Sequence, residues 1–477
     1  MSLKAQAVTG VKWNGGTMII VTILNFVTLA FLARLLDPSD FGLMGMILIV
    51  IRFAQIFEDI GLSNAIIHRQ NVTENQLSSF FWINILMGFV IFICIQLIAP
   101  LADYYFKQPN LSNYLIYAAF LFLITPIRQI FNTLLMKELD FKTLSKVNIT
   151  SSFVYSLAAI SLAIAKFGVL SLILGELIRS IFNVIILFFY FRKTWLPRFH
   201  FSIKEIQNYF SFGAFQLGER VLNYISANID YIIIGRFLGP AVLGFYTLAY
   251  QIIIFPLMKI NPIITRVAFP TFSKIQNDDS KMRRGYCKVV NYITMVSFPM
   301  LAGMIVVAPE FIRLVFGANW EPSVIILQIL CLVGAIRSLG NPIGSVLLSK
   351  GRADIGFYWN LFTVIIIAIG VFIGVNWGIV GVAFAILIVQ IPLFIIIQPI
   401  VNKLIHLKFS QYLKAIQSPF ICSLIMLTGI IPLKISLGDI NMILLITFIV
   451  TTGIIIYISS YFMKDKATFF ELKSMYK

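Results

Sequence analysis

Apolar runs of about twenty residues, the length a helix needs to cross a bilayer, follow one another along nearly the whole chain. Gly, Pro or charged residues bound each run. The pattern predicts spans over about residues 11–33, 40–66, 77–100, 111–136, 147–166 and 169–191. A second series follows at about 210–235, 241–271, 287–309, 322–349, 354–375 and 379–402, and two more spans at about 412–432 and 440–462. The expected fold class is all-α: a polytopic membrane protein of about fourteen transmembrane helices, grouped six, six and two. The run around Phe26 and Leu32 is too long for a signal peptide and has a counterpart after residue 210, so it is expected to be retained.

The two groups of six repeat one another. Residues 34–42 read R-L-L-D-P-S-D-F-G and residues 236–244 read R-F-L-G-P-A-V-L-G, each between two long apolar runs. Pro stops the incoming helix and presets a turn, and Gly lets the next helix start close to its neighbour. Other landmarks recur at an offset of roughly 200 to 210 positions, the mark of a duplication. Ala99-Pro100 answers to Ala308-Pro309, Ile127-Arg128 to Ile336-Arg337, and Asn132 to Asn341. Because each half has an even number of spans, both enter from the same side, which predicts a parallel repeat about an axis along the membrane normal.

The expected organisation is an amino-terminal six-helix lobe (1–195), a linker with an interfacial helix (196–209), a carboxy-terminal six-helix lobe (210–405), and two extra helices with a tail (406–477). The linker is rich in cations and aromatics, and Ser202-Ile203-Lys204-Glu205 reads as a capping box.

Composition agrees: 59% of the 477 residues are hydrophobic, 12% are charged, and mean hydropathy is +0.92. The net charge of +17 would suggest a nucleic-acid partner if it were clustered. It is instead sorted by loop, one side holding only Arg34, Lys107, Lys166, Arg236, Arg313 and Lys434. By the positive-inside rule both termini are cytoplasmic, so the charge reflects topology and no nucleic-acid partner is expected. Cys94, Cys287, Cys331 and Cys422 are scattered without metal or disulfide spacing, and His68, His200 and His406 lie far apart in loops. No metal and no cofactor are expected.

Ionisable groups inside the spans must face water or a partner, since each costs a few kcal/mol at the membrane centre. Arg52 lies about twelve residues into the second span, roughly 18 Å deep, with Gln55 and Asp59 on its face. Glu58 points elsewhere. The seventh span carries Gln216, Arg220, Asn223 and Asp230 within about 40° of one line, with Glu219 alongside. Glu176 and Arg179, spaced i and i+3, read as an ion pair. Arg52, Arg128, Arg220 and Arg337 outnumber the nearby acid Glu219 near mid-membrane. They predict a water-filled cationic cavity between the lobes for an anionic head group, with Gln216 and Asn223 as polar lining. A guanidinium suits phosphate because its planar fork donates two bonds at once. Asp59, Glu219 and Asp230 could carry a driving ion, H+ or Na+.

Several motifs bring a family into view. Gly10-Val11-Lys12-Trp13, the run from Ala33 to Leu43, Asp59-Ile60-Gly61-Leu62-Ser63-Asn64, Asn228-Ile229-Asp230-Tyr231, Gly235-Arg236-Phe237-Leu238-Gly239-Pro240 and Phe269-Pro270-Thr271-Phe272-Ser273 resemble those of polysaccharide exporters of the Wzx type. The likeness is to the WzxC/TuaB-like branch, which exports colanic and teichuronic acids, and it covers nearly the whole chain. It implies the multidrug/oligosaccharidyl-lipid/polysaccharide (MOP) superfamily fold and alternating access in the bacterial cytoplasmic (inner) membrane. The substrate it implies is a polyprenyl-pyrophosphate-linked oligosaccharide moved to the outer leaflet for exopolysaccharide or lipopolysaccharide assembly. Membrane lipids and polysaccharide polymerase machinery are the implied partners. MurJ-like relatives are similar in having cationic cavities, a role that suits Arg52.

Two other classes compete. A cation-coupled drug exporter of the same superfamily would want a net acidic cavity, and this one reads basic. A membrane enzyme such as a glycan polymerase would want a long outer loop or an intramembrane His for acid–base chemistry, and the sequence offers neither.

Overall fold

The computed structural model describes residues 3–58, 66–67, 72–202, 213–438 and 440–466, and these form helices and turns without a β-strand. Among the described residues fourteen long helices run in chain order. They are α1 (Leu3–Leu35), α2 (Pro38–Glu58), α3 (Glu74–Phe106), α4 (Leu111–Ala119 and Leu121–Lys137), α5 (Phe141–Ile164), α6 (Leu170–Phe191) and α7 (Gly213–Leu238). The series continues with α8 (Pro240–Lys274), α9 (Asp279–Val315), α10 (Ser323–Gly340 and Ile343–Ser349), α11 (Ala353–Gly374), α12 (Gly378–Leu404), α13 (Phe409–Ser436) and α14 (Met442–Lys464). Each predicted span has its helix. The predicted interfacial helix at 203–209 lies outside the described residues.

The helix starts follow local chemistry. Thr73 caps α3 in a capping box: its hydroxyl accepts from the Gln76 N–H at 3.2 Å, and the Gln76 side chain accepts from the Thr73 N–H at 3.2 Å. Pro38 and Pro240 open α2 and α8 at the first helical position, where a missing N–H costs nothing. Gly239 precedes Pro240 with φ +84, a conformation a side chain would strain.

By packing, the chain divides into two compact units, Met1–Gly244 and Phe245–Lys477. In the first, α5 packs on α1 and α6, α4 on α3 and α6, and α7 on α2. Membrane helices gain little from the hydrophobic effect against lipid, so close approach depends on small residues and buried hydroxyls. Accordingly Ser152, Ser156, Ala159 and Ala163 are buried along α5, where Ala159 meets Gly175 of α6 and the Ser156 and Thr28 hydroxyls are 2.6 Å apart.

The two repeated turns lock into one another inside this unit. A β-carbon on Gly42 would collide with the carbonyl of Pro240, and one on Gly244 would collide with the carbonyl of Pro38. Each glycine of the repeat therefore seats on the proline of the other copy. Beside this contact Arg236 donates to the terminal carbonyls of Tyr104 and Tyr105, its guanidinium 5.5 Å from the Tyr105 ring centre. That ties the end of α7 to the end of α3, where a cation also meets the negative pole of the helix.

In the second unit α9 is the hub, packed on α10, α13 and α14, while α11 packs on α12. The extra helices are bound by polar ties. The Tyr457 hydroxyl donates to the Met295 carbonyl at 2.8 Å, Tyr461 donates to the Asn291 side chain at 3.0 Å, and Asn291 donates to the Ala415 carbonyl at 2.7 Å. Lys434 of α13 pairs with Glu310 of α9 at 2.8 Å. At the opposite end Asp279 receives Lys350 at 2.8 Å and lies 3.5 Å from His406, joining three inter-helix loops.

Candidate functional site

The packing of α7 on α2 brings two predicted cations onto one strip. Tyr224 of α7 donates its hydroxyl to the Ile49 carbonyl of α2 at 2.7 Å, and its ring lies 5.8 Å from Phe53. Arg52 stands close enough to act electrostatically on the Tyr224 phenol. Arg52 and Gln55 are exposed on α2, Asn223 is exposed on α7, and Arg220 is half-exposed. On a helix, positions 220, 223 and 227 fall on one stripe, which the small, exposed Ala227 continues without covering. The pair of helices therefore presents a polar, cationic face.

The other predicted residues fall elsewhere. Arg128 of α4 is part-buried inside the first unit, where Glu176, Arg179 and Glu58 act on its charge and its Nε is buried without a partner. The Arg179–Glu176 pair is formed at 3.3 Å. Glu58 turns away from Arg52, as its helical angle predicts, is 7% exposed, and meets the Thr125 hydroxyl. Arg337 lies in the second unit, donating to the Tyr250 hydroxyl at 3.0 Å and to Gln390 at 3.4 Å. Asp230 is 5% exposed and accepts from the Tyr231 N–H at 2.9 Å. Asp59 lies outside the described residues, as do the side chains of Gln216 and Glu219.

Tyr224 is a residue that reasoning from the sequence misses. It follows Asn223 and stands one turn beyond Arg220 on the polar stripe, which is the available signal. Tyr250 and Gln390 give none, because an isolated Tyr or Gln in an apolar helix does not reveal its partner. Among the described residues no group of His, Cys, Asp and Glu is arranged to hold a metal ion.

Fold and sequence together define a multi-spanning, all-helical membrane protein. A solved structure of the lipid II flippase MurJ in an inward closed conformation has the same fold, with TM-score 0.73 at 16% identity over 96% of this chain and 99% of that one. The chain belongs to the polysaccharide biosynthesis protein family, whose sequence model matches residues 31–325. It is 37% identical to the teichuronic acid biosynthesis protein TuaB of Bacillus subtilis, over 92% of this chain and 90% of the relative. It is 34% identical to the lipopolysaccharide biosynthesis protein WzxC of Escherichia coli, over 89% and 87% of the two chains.

Proposed function

We propose that this protein is a flippase that carries a polyprenyl-pyrophosphate-linked oligosaccharide from the cytoplasmic to the outer leaflet of the bacterial inner membrane, with both termini in the cytoplasm. The observation that carries this reading is the exposed cationic strip of Arg52 and Arg220 at mid-depth, in a chain of the polysaccharide biosynthesis family. A pyrophosphate is the part of such a substrate that cannot cross hydrocarbon unaided. Guanidinium groups bind it with paired, charge-assisted hydrogen bonds. Asn223 and Gln55 offer donors and acceptors to the first sugars, and the polyprenyl tail stays in lipid. Alternating exposure of the strip to the two sides then moves the head group. H+ or Na+ drives the cycle.

The test is mass spectrometry of polyprenyl-linked intermediates after depletion of the protein in its native host. The expected result is accumulation of one oligosaccharide-pyrophosphate-lipid together with loss of the matching surface polymer. Unchanged intermediates with a rise in sensitivity to cationic drugs would replace this reading with a drug exporter.

A further inference from the structure

The cationic strip of α2 and α7 has an aromatic floor. Phe53 of α2 meets the Tyr224 ring of α7 at 5.8 Å and the Phe57 ring edge-on at 5.5 Å. Tyr224 is itself pinned, because its hydroxyl donates to the Ile49 carbonyl at 2.7 Å. Although held by both rings, Phe53 keeps 36% of its surface exposed. An exposed ring in a membrane protein is ordinarily set among apolar side chains, as Phe89 of α3 is beside the exposed Leu86, Val90 and Ile93. Phe53 has polar, exposed neighbours instead: Arg52 and Gln55 on its own helix, and Asn223 beside Tyr224 on the facing one.

Helix geometry puts these neighbours on one side of the rings. Pro38 at the start of α2 meets Gly244 beyond the end of α7, whereas Phe53 meets Tyr224 midway along it, so the two helices run antiparallel. Arg52 precedes Phe53 and Asn223 precedes Tyr224, each turned about 100° in the same sense from the ring that marks the contact. On facing antiparallel helices, equal turns in the same sense bring both side chains out on the same side. Arg220, one turn before Tyr224, lies on that side as well. The result is a shallow trough with two cations and two amides at its rim and aromatic rings along its floor.

In a glycosyl pyrophosphate the first sugar is joined to phosphorus through one oxygen. A group that reads this sugar must therefore adjoin the groups that hold the phosphates, as Phe53 adjoins Arg52 in the chain. One face of a hexopyranose is lined by C–H bonds, apolar and slightly positive, which suits the negative face of an aromatic ring. Its hydroxyls point outward from the edge, where Gln55 and Asn223 offer both donors and acceptors. We propose that Phe53, backed by Tyr224 and Phe57, is the platform on which the head-proximal sugar stacks while Arg52 and Arg220 hold the pyrophosphate. This inference rests on the flippase reading and adds selectivity to it: the platform lets the strip favour a lipid that carries a glycan over the same lipid without one.

The test compares two probes on full-length protein in lipid nanodiscs, polyprenyl pyrophosphate and the same lipid bearing a single glucose. Wild type is expected to bind the glucosyl lipid more tightly by about 2- to 12-fold, the range that ring contacts supply. Phe53→Leu keeps an apolar side chain in the packing of α2 but removes the ring, and should bring this ratio to one. Phe53→Tyr keeps the ring and should retain the ratio. Arg52→Ala should weaken both probes and leave the ratio in place. Because each ratio is taken on one preparation, a change in the amount of folded protein cancels. Equal binding of the two probes by wild type, or an unchanged ratio in Phe53→Leu, overturns the platform and leaves the flippase reading standing. Weakening of both probes alike by Phe53→Leu also overturns it, and assigns the ring to the polyprenyl tail or to helix packing. Failure of wild type to bind either probe contradicts the flippase reading itself, and the platform with it.

Discussion

Arg52→Ala and Arg220→Ala each lower translocation of the lipid-linked substrate by about ten- to a hundredfold, the range expected when a hydrogen bond to a charged group is removed. The amount of protein in the membrane stays at the wild-type level, because Arg52 is exposed and Arg220 half-exposed. Lysine at either position recovers only part of the loss. It restores the charge but not the planar fork that grips two phosphate oxygens. Surface polymer quantified against membrane protein level checks all four variants, and normal export by both alanine variants would remove the cationic strip from the mechanism.

The second large effect is expected at the interlocked turns. Gly42→Val and Gly244→Val place side chains against the Pro240 and Pro38 carbonyls, where even a β-carbon has no room. The obstacle is backbone at a helix start and cannot rotate aside as a side chain would. Overpacking of this kind costs roughly 1–3 kcal/mol, enough to shift the balance toward the separated turns by about 5- to 150-fold. Transport is expected to fall by at least that factor, with cysteines at Ser39 and Ala241 becoming more reactive to a membrane-impermeant maleimide. Wild-type reactivity and transport in both variants would show that the turns do not need to close.

These two sites differ in how far the sequence foretells them. The repeated Pro and Gly mark the turns and their helix boundaries, because a proline and a helix start act locally. That each glycine seats on the proline of the other copy is not legible, since the two stretches are some two hundred positions apart and nothing in either names its partner. The fourteen helices are readable because a bilayer demands about twenty apolar residues per crossing. Their full lengths are not: α9 runs Asp279–Val315, well past its predicted span of about 287–309, because the helix continues where hydropathy no longer marks it.

The same limit explains the candidate site. Helical periodicity places Arg220 and Asn223 on one face of α7 and turns Glu58 away from Arg52. It cannot say that α7 packs on α2, which brings Arg220 and Arg52 onto one strip, nor that Arg128 comes within electrostatic range of Glu58 and Glu176. Periodicity gives the face of a helix, whereas the neighbour on that face is set by packing among all the helices.

The central claim is tested most directly by reconstituting the purified protein into liposomes with a fluorescent polyprenyl-pyrophosphate oligosaccharide placed in one leaflet. Dithionite quenching reports the fraction exposed on the outside over time. The account predicts that wild-type protein moves the labelled lipid between leaflets and that the Arg52→Ala, Arg220→Ala double variant leaves it where it was placed. Retention of the lipid in its starting leaflet by wild-type protein, in liposomes where the same protein moves a cationic drug, would contradict it.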